Sequence, residues 1–165
     1  MKLNILHILL YLFICSACNS EEKFSVDYVD PFIGTGFHGQ TYPGATAPFG
    51  AVQLSPDTRV GNWDACAGYH YNDTTLRGFS HTHLSGTGCI DLGDILFRPT
   101  TQEPSFTNEF FYSPANFSHQ DEMASAGYYS VLLKDEGIKA ELTATPHVGM
   151  HRYTYLTGNL AAVIV

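Results

Sequence analysis

Positive charge is scarce in this sequence: 8 Lys and Arg stand against 16 Asp and Glu in 165 residues, a formal net charge of -8. A chain that tracks a phosphate backbone or an anionic membrane surface needs clustered cations, so nucleic acid and acidic lipid are excluded as main partners. A neutral ligand suits the composition. Cysteine is also sparse, at 4, too few for a disulfide-built scaffold. Helical periodicity is nearly missing while turn formers are frequent, with 15 Gly and 8 Pro, which sets aside a helical bundle in favour of an all-β fold.

Long apolar runs are lacking too. Leu3 to Ile14 is interrupted by Asn4, His7 and Tyr11, and it is too short for a membrane-spanning helix. Behind Met1-Lys2 it has the order of a secretory signal peptide. The run ends in Cys15-Ser16-Ala17-Cys18, which resembles a bacterial lipobox with Cys18 as the lipid-bearing residue; ordinary signal cleavage with release of the chain is the alternative. Asn19 to Glu22 reads as a polar tether whose acidic residues resemble the surface-export signal of Bacteroides-type lipoproteins. The expected organisation is a lipoprotein signal over 1–18, a tether over 19–25 and one folded domain over 26–165, held at the bacterial cell envelope as an outer-membrane lipoprotein, either periplasmic or surface-exposed. Cys66 and Cys89 then remain, either joined as a disulfide or as thiols, and their spacing makes no zinc motif.

The C-terminal half reads as strands. Tyr128 to Leu133, a turn at Asp135-Glu136-Gly137 and a return over Ile138 to Thr145 predict a β-hairpin. Gly149 to Tyr155 alternates Met150, Arg152 and Thr154 against His151, Tyr153 and Tyr155, and Gly158-Asn159 is expected to turn it into a last buried strand, Leu160 to Val165. Successive antiparallel strands of this kind build an antiparallel β-sandwich. Pro99 to Ser125 reads as a long irregular connection. An apolar finish with no turn or polar tail is expected of a chain cut from a longer protein, so the domain is read as incomplete at its C-terminus.

Val29 to Phe97 is different, concentrating glycine, histidine and aromatic residues beyond what a core requires. Gly34-Thr35-Gly36 superficially suggests a phosphate loop, but the lysine and helix that loop needs do not follow. Trp63, flanked by Asn62 and Asp64, either offers an aromatic face to the C–H surface of a sugar or packs under its loop. His81 and His83, two apart, would face the same way on a strand; hydrogen bonding to loop carbonyls or substrate hydroxyls is expected there ahead of metal ligation. His38 and His70 carry the same ambiguity. Asp91 and Asp94 form a local carboxylate pair, but in a tight Asp-Leu-Gly-Asp turn they are expected to hydrogen-bond backbone rather than to catalyse.

Asp30 to Gly36, Tyr42 to Gly50, Asn62 to Tyr71 and Gly78 to Asp94, with Gly127-Tyr128-Tyr129 and Ala140 to Thr145 behind them, together resemble the N-terminal domain of glycoside hydrolase family 92. The resemblance runs from about Val26 to the end. It implies an exo-acting, calcium-dependent, inverting α-mannosidase that trims N-glycans or mannans, with this β-sandwich packed on a helical (α/α)6 domain. The family's acid and base carboxylates and most of its calcium environment lie in that helical domain, which this sequence does not reach. By the same resemblance Trp63, Asp64, His38, His81 and His83 would line the face for a mannose-containing glycan. A stand-alone surface glycan-binding lipoprotein without catalysis is the alternative.

Overall fold

The computed structural model describes residues 24–61, 63–86, 88–90, 93–103, 113–158 and 160–165. The signal and lipobox readings, with Cys18 and most of the tether, lie outside these residues, as do Asn62 and Asp91. Strands carry the fold: β1 (Ala45–Thr46), β2 (Gln53–Asp57), β3 (Thr75–Leu76), β4 (Gly78–Ser80), β5 (Arg98–Thr100), β6 (Ala115–Asn116), β7 (Glu122–Ser125), β8 (Tyr128–Leu133), β9 (Ile138–Ala144), β10 (Gly149–Tyr155) and β11 (Ala162–Ile164). The helical turns among the described residues are short 3-10 segments at Ser25–Tyr28, Trp63–Ala65 and His119–Asp121. The domain is an all-β, antiparallel sandwich.

Its larger sheet is the meander β7-β8-β9-β10. The predicted hairpin is present with Tyr128 opposite Thr143 and Leu133 opposite Ile138. Period-two alternation sends Tyr129, Val131 and Leu133 of β8 and Ile138, Ala140 and Leu142 of β9 inward, each at most 1% exposed. They meet Leu54 and Ala45 of the smaller sheet β1-β2-β4 and the side chains of Leu76, Phe79, Ala115 and Phe117. Fully burying a large aliphatic side chain contributes about 1.5–3 kcal/mol, so this double row of apolar residues holds the layers together. Gly137 takes φ +60°, and a Cβ there would fall 2.0 Å from Thr157 Oγ1, so both the turn and the returning chain require glycine.

Two expectations change. The chain after β10 does not continue the meander: β11 pairs with β5, Ala162 opposite Thr100 and Ile164 opposite Arg98. Gly158, at φ +91°, packs against Thr101 and directs the chain there. This last strand is half-exposed rather than buried, with Val163 43% exposed. The connection from Pro99 to Ser125 is also less irregular than expected, since it holds part of β5, then β6 paired to β3, a 3-10 turn, and β7; residues 104–112 lie outside the described part.

A buried carboxylate locks this corner. Glu136, in the hairpin turn, is 2% exposed and accepts hydrogen bonds from the Thr101 N–H at 2.9 Å, the Thr101 hydroxyl at 2.8 Å and the Gln102 amide at 3.1 Å. Arg98 Nη2 stands 3.8 Å away. A second buried carboxylate, Glu122, ties the glycine-rich half to the meander by accepting from Tyr69 at 3.0 Å and Tyr129 at 2.6 Å.

Candidate functional site

Three loops converge on Trp63. Gln40 joins them: its side-chain amide donates to the Trp63 carbonyl at 3.4 Å, and its own carbonyl accepts the Gly86 N–H at 2.7 Å. Gly88, at φ +67°, closes the third loop over the indole, where a Cβ would stand 3.2 Å from Trp63 Nε1. Trp63 is nevertheless 54% exposed, so it presents a face to solvent and is not packed under its loop. The His38 ring lies 5.3 Å from the indole, and His38 Nδ1 stands 2.7 Å from Asp64 Oδ1. Phe37, which sequence reading did not single out, lies with its ring 4.2 Å from that of His38 and is 80% exposed.

Phe37 holds φ +53°, a backbone state that disfavours a bulky residue and concentrates at functional sites. The structure over-determines it through His70, whose Nε2 donates to the Phe37 carbonyl at 3.0 Å while its Nδ1 accepts the Asn72 N–H at 3.1 Å. His70 is thus a buried support for the loop. Phe37, His38, Trp63 and Asp64 together form an exposed apolar face with a hydrogen-bonding pair at its side, a combination that suits a sugar's alternation of C–H faces and hydroxyls.

His83 belongs to the layer beneath. It is 2% exposed, with Nδ1 donating to the Gln53 carbonyl at 2.7 Å and Nε2 standing 3.1 Å from Asp57 Oδ1 and 3.2 Å from Ser80 Oγ. Gly68, at φ +76°, leaves room for that pair, since a Cβ would come within 2.6 Å of Asp57 Oδ1 and 2.9 Å of the His83 ring. Asp57 and His83 wall a cavity of about 220 Å³ that Arg59, Cys66, Arg77 and Ile90 also line. Asp57, Arg59 and Arg77 carry no local sequence signal for this role, because β2, β4 and the loops between them become neighbours only on folding.

His81 and His83 do not share a face. β4 ends at Ser80, and Thr82 turns the chain by bonding the Asp94 N–H at 2.9 Å and the Asp94 carboxylate at 3.0 Å; the period-two rule holds only within a strand. Asp94 is therefore engaged in fixing this turn. His81 points instead to His151 on β10, at 3.2 Å between the two Nε2 atoms. Cys66 is buried and Cys89 exposed, and no disulfide joins them. Among the described residues no three His, Cys, Asp or Glu side chains gather to hold a metal ion. Calcium takes about six to eight oxygen ligands, carboxylates prominent among them, and the described residues gather no such cluster of carboxylates.

Residues 28–165 match the glycosyl hydrolase family 92 N-terminal domain. Among solved structures, a family GH92 α-mannosidase from Bacteroides thetaiotaomicron, in complex with mannoimidazole, is 48% identical with a TM-score of 0.78, over 84% of this chain and 19% of that one. The GH92 family glycosyl hydrolase ccman5 is 34% identical with a TM-score of 0.70, over 84% of this chain and 20% of its own. A protein of Arthroderma benhamiae described as an uncharacterized secreted glycosidase is 28% identical over 137 residues, which is 80% of this chain and 17% of that protein. The chain thus spans about one fifth of the length of its relatives. With the motif order of residues 30–94, the sandwich and these likenesses agreeing, the chain belongs to glycoside hydrolase family 92.

Proposed function

We propose that this domain presents a mannose-containing glycan to the active site of an exo-acting α-mannosidase, with Trp63 as the stacking platform and His38 and Asp64 as its hydrogen-bonding flank. The carrying observation is the exposed indole held in place by Gln40 and Gly88 beside an ordered imidazole–carboxylate pair. Glycoside hydrolysis asks for two carboxylates across the scissile bond. In this cluster Asp64 is engaged by His38, so the domain's share is binding and orientation. Activity on N-glycans or mannans, calcium dependence and the acid and base belong, on this reading, to a protein that joins this sandwich to a helical domain. His81 and His83 act indirectly here, by shaping the layer beneath the loops.

Lipidation at Cys18 and an envelope location complete the proposal, since a tethered enzyme meets glycans that cannot enter the cell. The glycosidase from Arthroderma benhamiae described as secreted is in keeping with an extracytoplasmic place. Isothermal titration of the full chain with α-mannosides tests the binding role. Heat of binding with affinity about tenfold weaker in Trp63→Ala is expected; folded protein that gives no heat overturns it.

A further inference from the structure

Phe37 carries two costs that its contacts within the domain do not offset. Its φ of +53° lies in the left-handed region, which a bulky side chain disfavours and glycine adopts freely. Its ring is also 80% exposed. Gln40 shares the backbone strain, at φ +52°, but there the conformation serves the fold, since the side-chain amide reaches the Trp63 carbonyl and the Gln40 carbonyl holds the Gly86 N–H. Among the described residues the Phe37 ring meets that of His38, at 4.2 Å, and His38 is itself half-exposed. The strain and the exposure at Phe37 therefore point to a contact outside the domain.

The loop is built to hold the ring there. The Thr41 N–H donates to the Gly34 carbonyl at 3.3 Å, the Gly39 N–H to the Gly36 carbonyl at 3.1 Å and the Thr41 hydroxyl to the Ile33 carbonyl at 2.9 Å, which closes residues 34–41 on themselves. Gly39 permits the closure, because a Cβ there would fall 2.1 Å from the Gly34 carbonyl oxygen. From below, the buried His70 donates to the Phe37 carbonyl at 3.0 Å, and the Tyr71 N–H holds the Thr35 carbonyl at 2.9 Å. An aromatic face fixed in advance binds with little ordering left to do. His38 adjoins Trp63 as well, with 5.3 Å between ring centroids, so the two exposed aromatic rings share one imidazole neighbour. A single pyranose, about the size of one such ring, covers one face; two linked pyranoses can cover both. Phe37 has no polar atom, so what it reads is the C–H face of a sugar and not a particular hydroxyl.

We propose that Phe37 is a second stacking platform, taking the sugar residue linked to the one on Trp63, so that this face selects glycans of two or more residues over a single mannose. This role rests on the sugar-binding reading of Trp63 and adds to it a preference for length. Isothermal titration of the full chain compares methyl α-mannoside with α-linked mannobioses. The parent is expected to bind at least one mannobiose about tenfold more tightly than the monosaccharide. Phe37→Gly should abolish that preference while leaving the affinity for methyl α-mannoside unchanged, and Phe37→Tyr should restore it; Trp63→Ala should weaken both ligands. Phe37→Gly should also melt no lower than the parent, because it relieves the left-handed strain. A preference that survives in Phe37→Gly, an equal loss of both ligands in that variant, or a lower melting temperature, which would mean that the ring packs against the protein, each overturns the second platform while leaving Trp63 in its role. Folded parent that gives no heat with either ligand removes the Trp63 reading and this one with it.

Discussion

His38 Nδ1 and Asp64 Oδ1 are 2.7 Å apart, joining residues separated by 26 positions across the rim of the exposed indole of Trp63. The pair is largely solvent-exposed, so its contribution to folding is small; its effect is to fix which polar groups stand beside the aromatic face.

Asp64→Asn therefore separates function from stability. The melting temperature should stay within the range of a change of about 0.5 kcal/mol, while α-mannoside binding weakens several-fold as His38 loses its orienting partner. Calorimetric titration alongside thermal melting checks both. A large drop in melting temperature would mean that the pair is structural instead.

Trp63→Ala should weaken α-mannoside binding by about tenfold, in line with the loss of roughly 1 kcal/mol or more of aromatic contact. Trp63→Phe should recover part of that loss. The measurement is the dissociation constant for both variants; equal affinity across all three proteins would remove the stacking role.

Glu136→Ala should destabilise the fold by about 3–5 kcal/mol, because Arg98 and the donors of Thr101 and Gln102 lose a buried charged partner. Denaturant unfolding gives the number. The loss should appear as a lower midpoint, since the corner of β5, β11 and the hairpin turn comes apart together with the core.

Glu141 supplies a pH test. Hydrogen bonds from Arg152 first and then Tyr128, outweighing burial, with Lys139 adding a third, hold its pKa down to about 2. A carboxylate with a depressed folded-state pKa stabilises the fold above its unfolded value of about 4.5 and loses that contribution as pH falls toward about 2. The Glu141 carboxyl signal in an NMR titration should have its midpoint near 2 in the parent chain. In Arg152→Ala the midpoint should move up toward the ordinary carboxylate range.

The hairpin and β10 were legible in the sequence because strand periodicity is local: Tyr129, Val131 and Leu133 alternate with outward neighbours whether or not the rest of the chain is known. Trp63 and His38 were legible as candidates by residue type and setting. The companions Phe37, Asp57, Arg59 and Arg77 were not, since nothing within a few residues of them reports that three loops and two strands converge. His81 and His83 show the same limit from the other side, for their spacing suggested one face and a turn at Thr82 sent them to different partners.

The sequence alone determined the class of the fold and the strands β8, β9 and β10 of the meander, because alternation and turn residues act over short distances. Tertiary structure decided the partners: β11 beside β5 in place of β10, Asp57 against His83, His81 against His151. Those contacts are set by how the two layers pack and by where Gly158, Gly68 and Gly149 leave space for a neighbour, a condition that exists only once distant segments share a core.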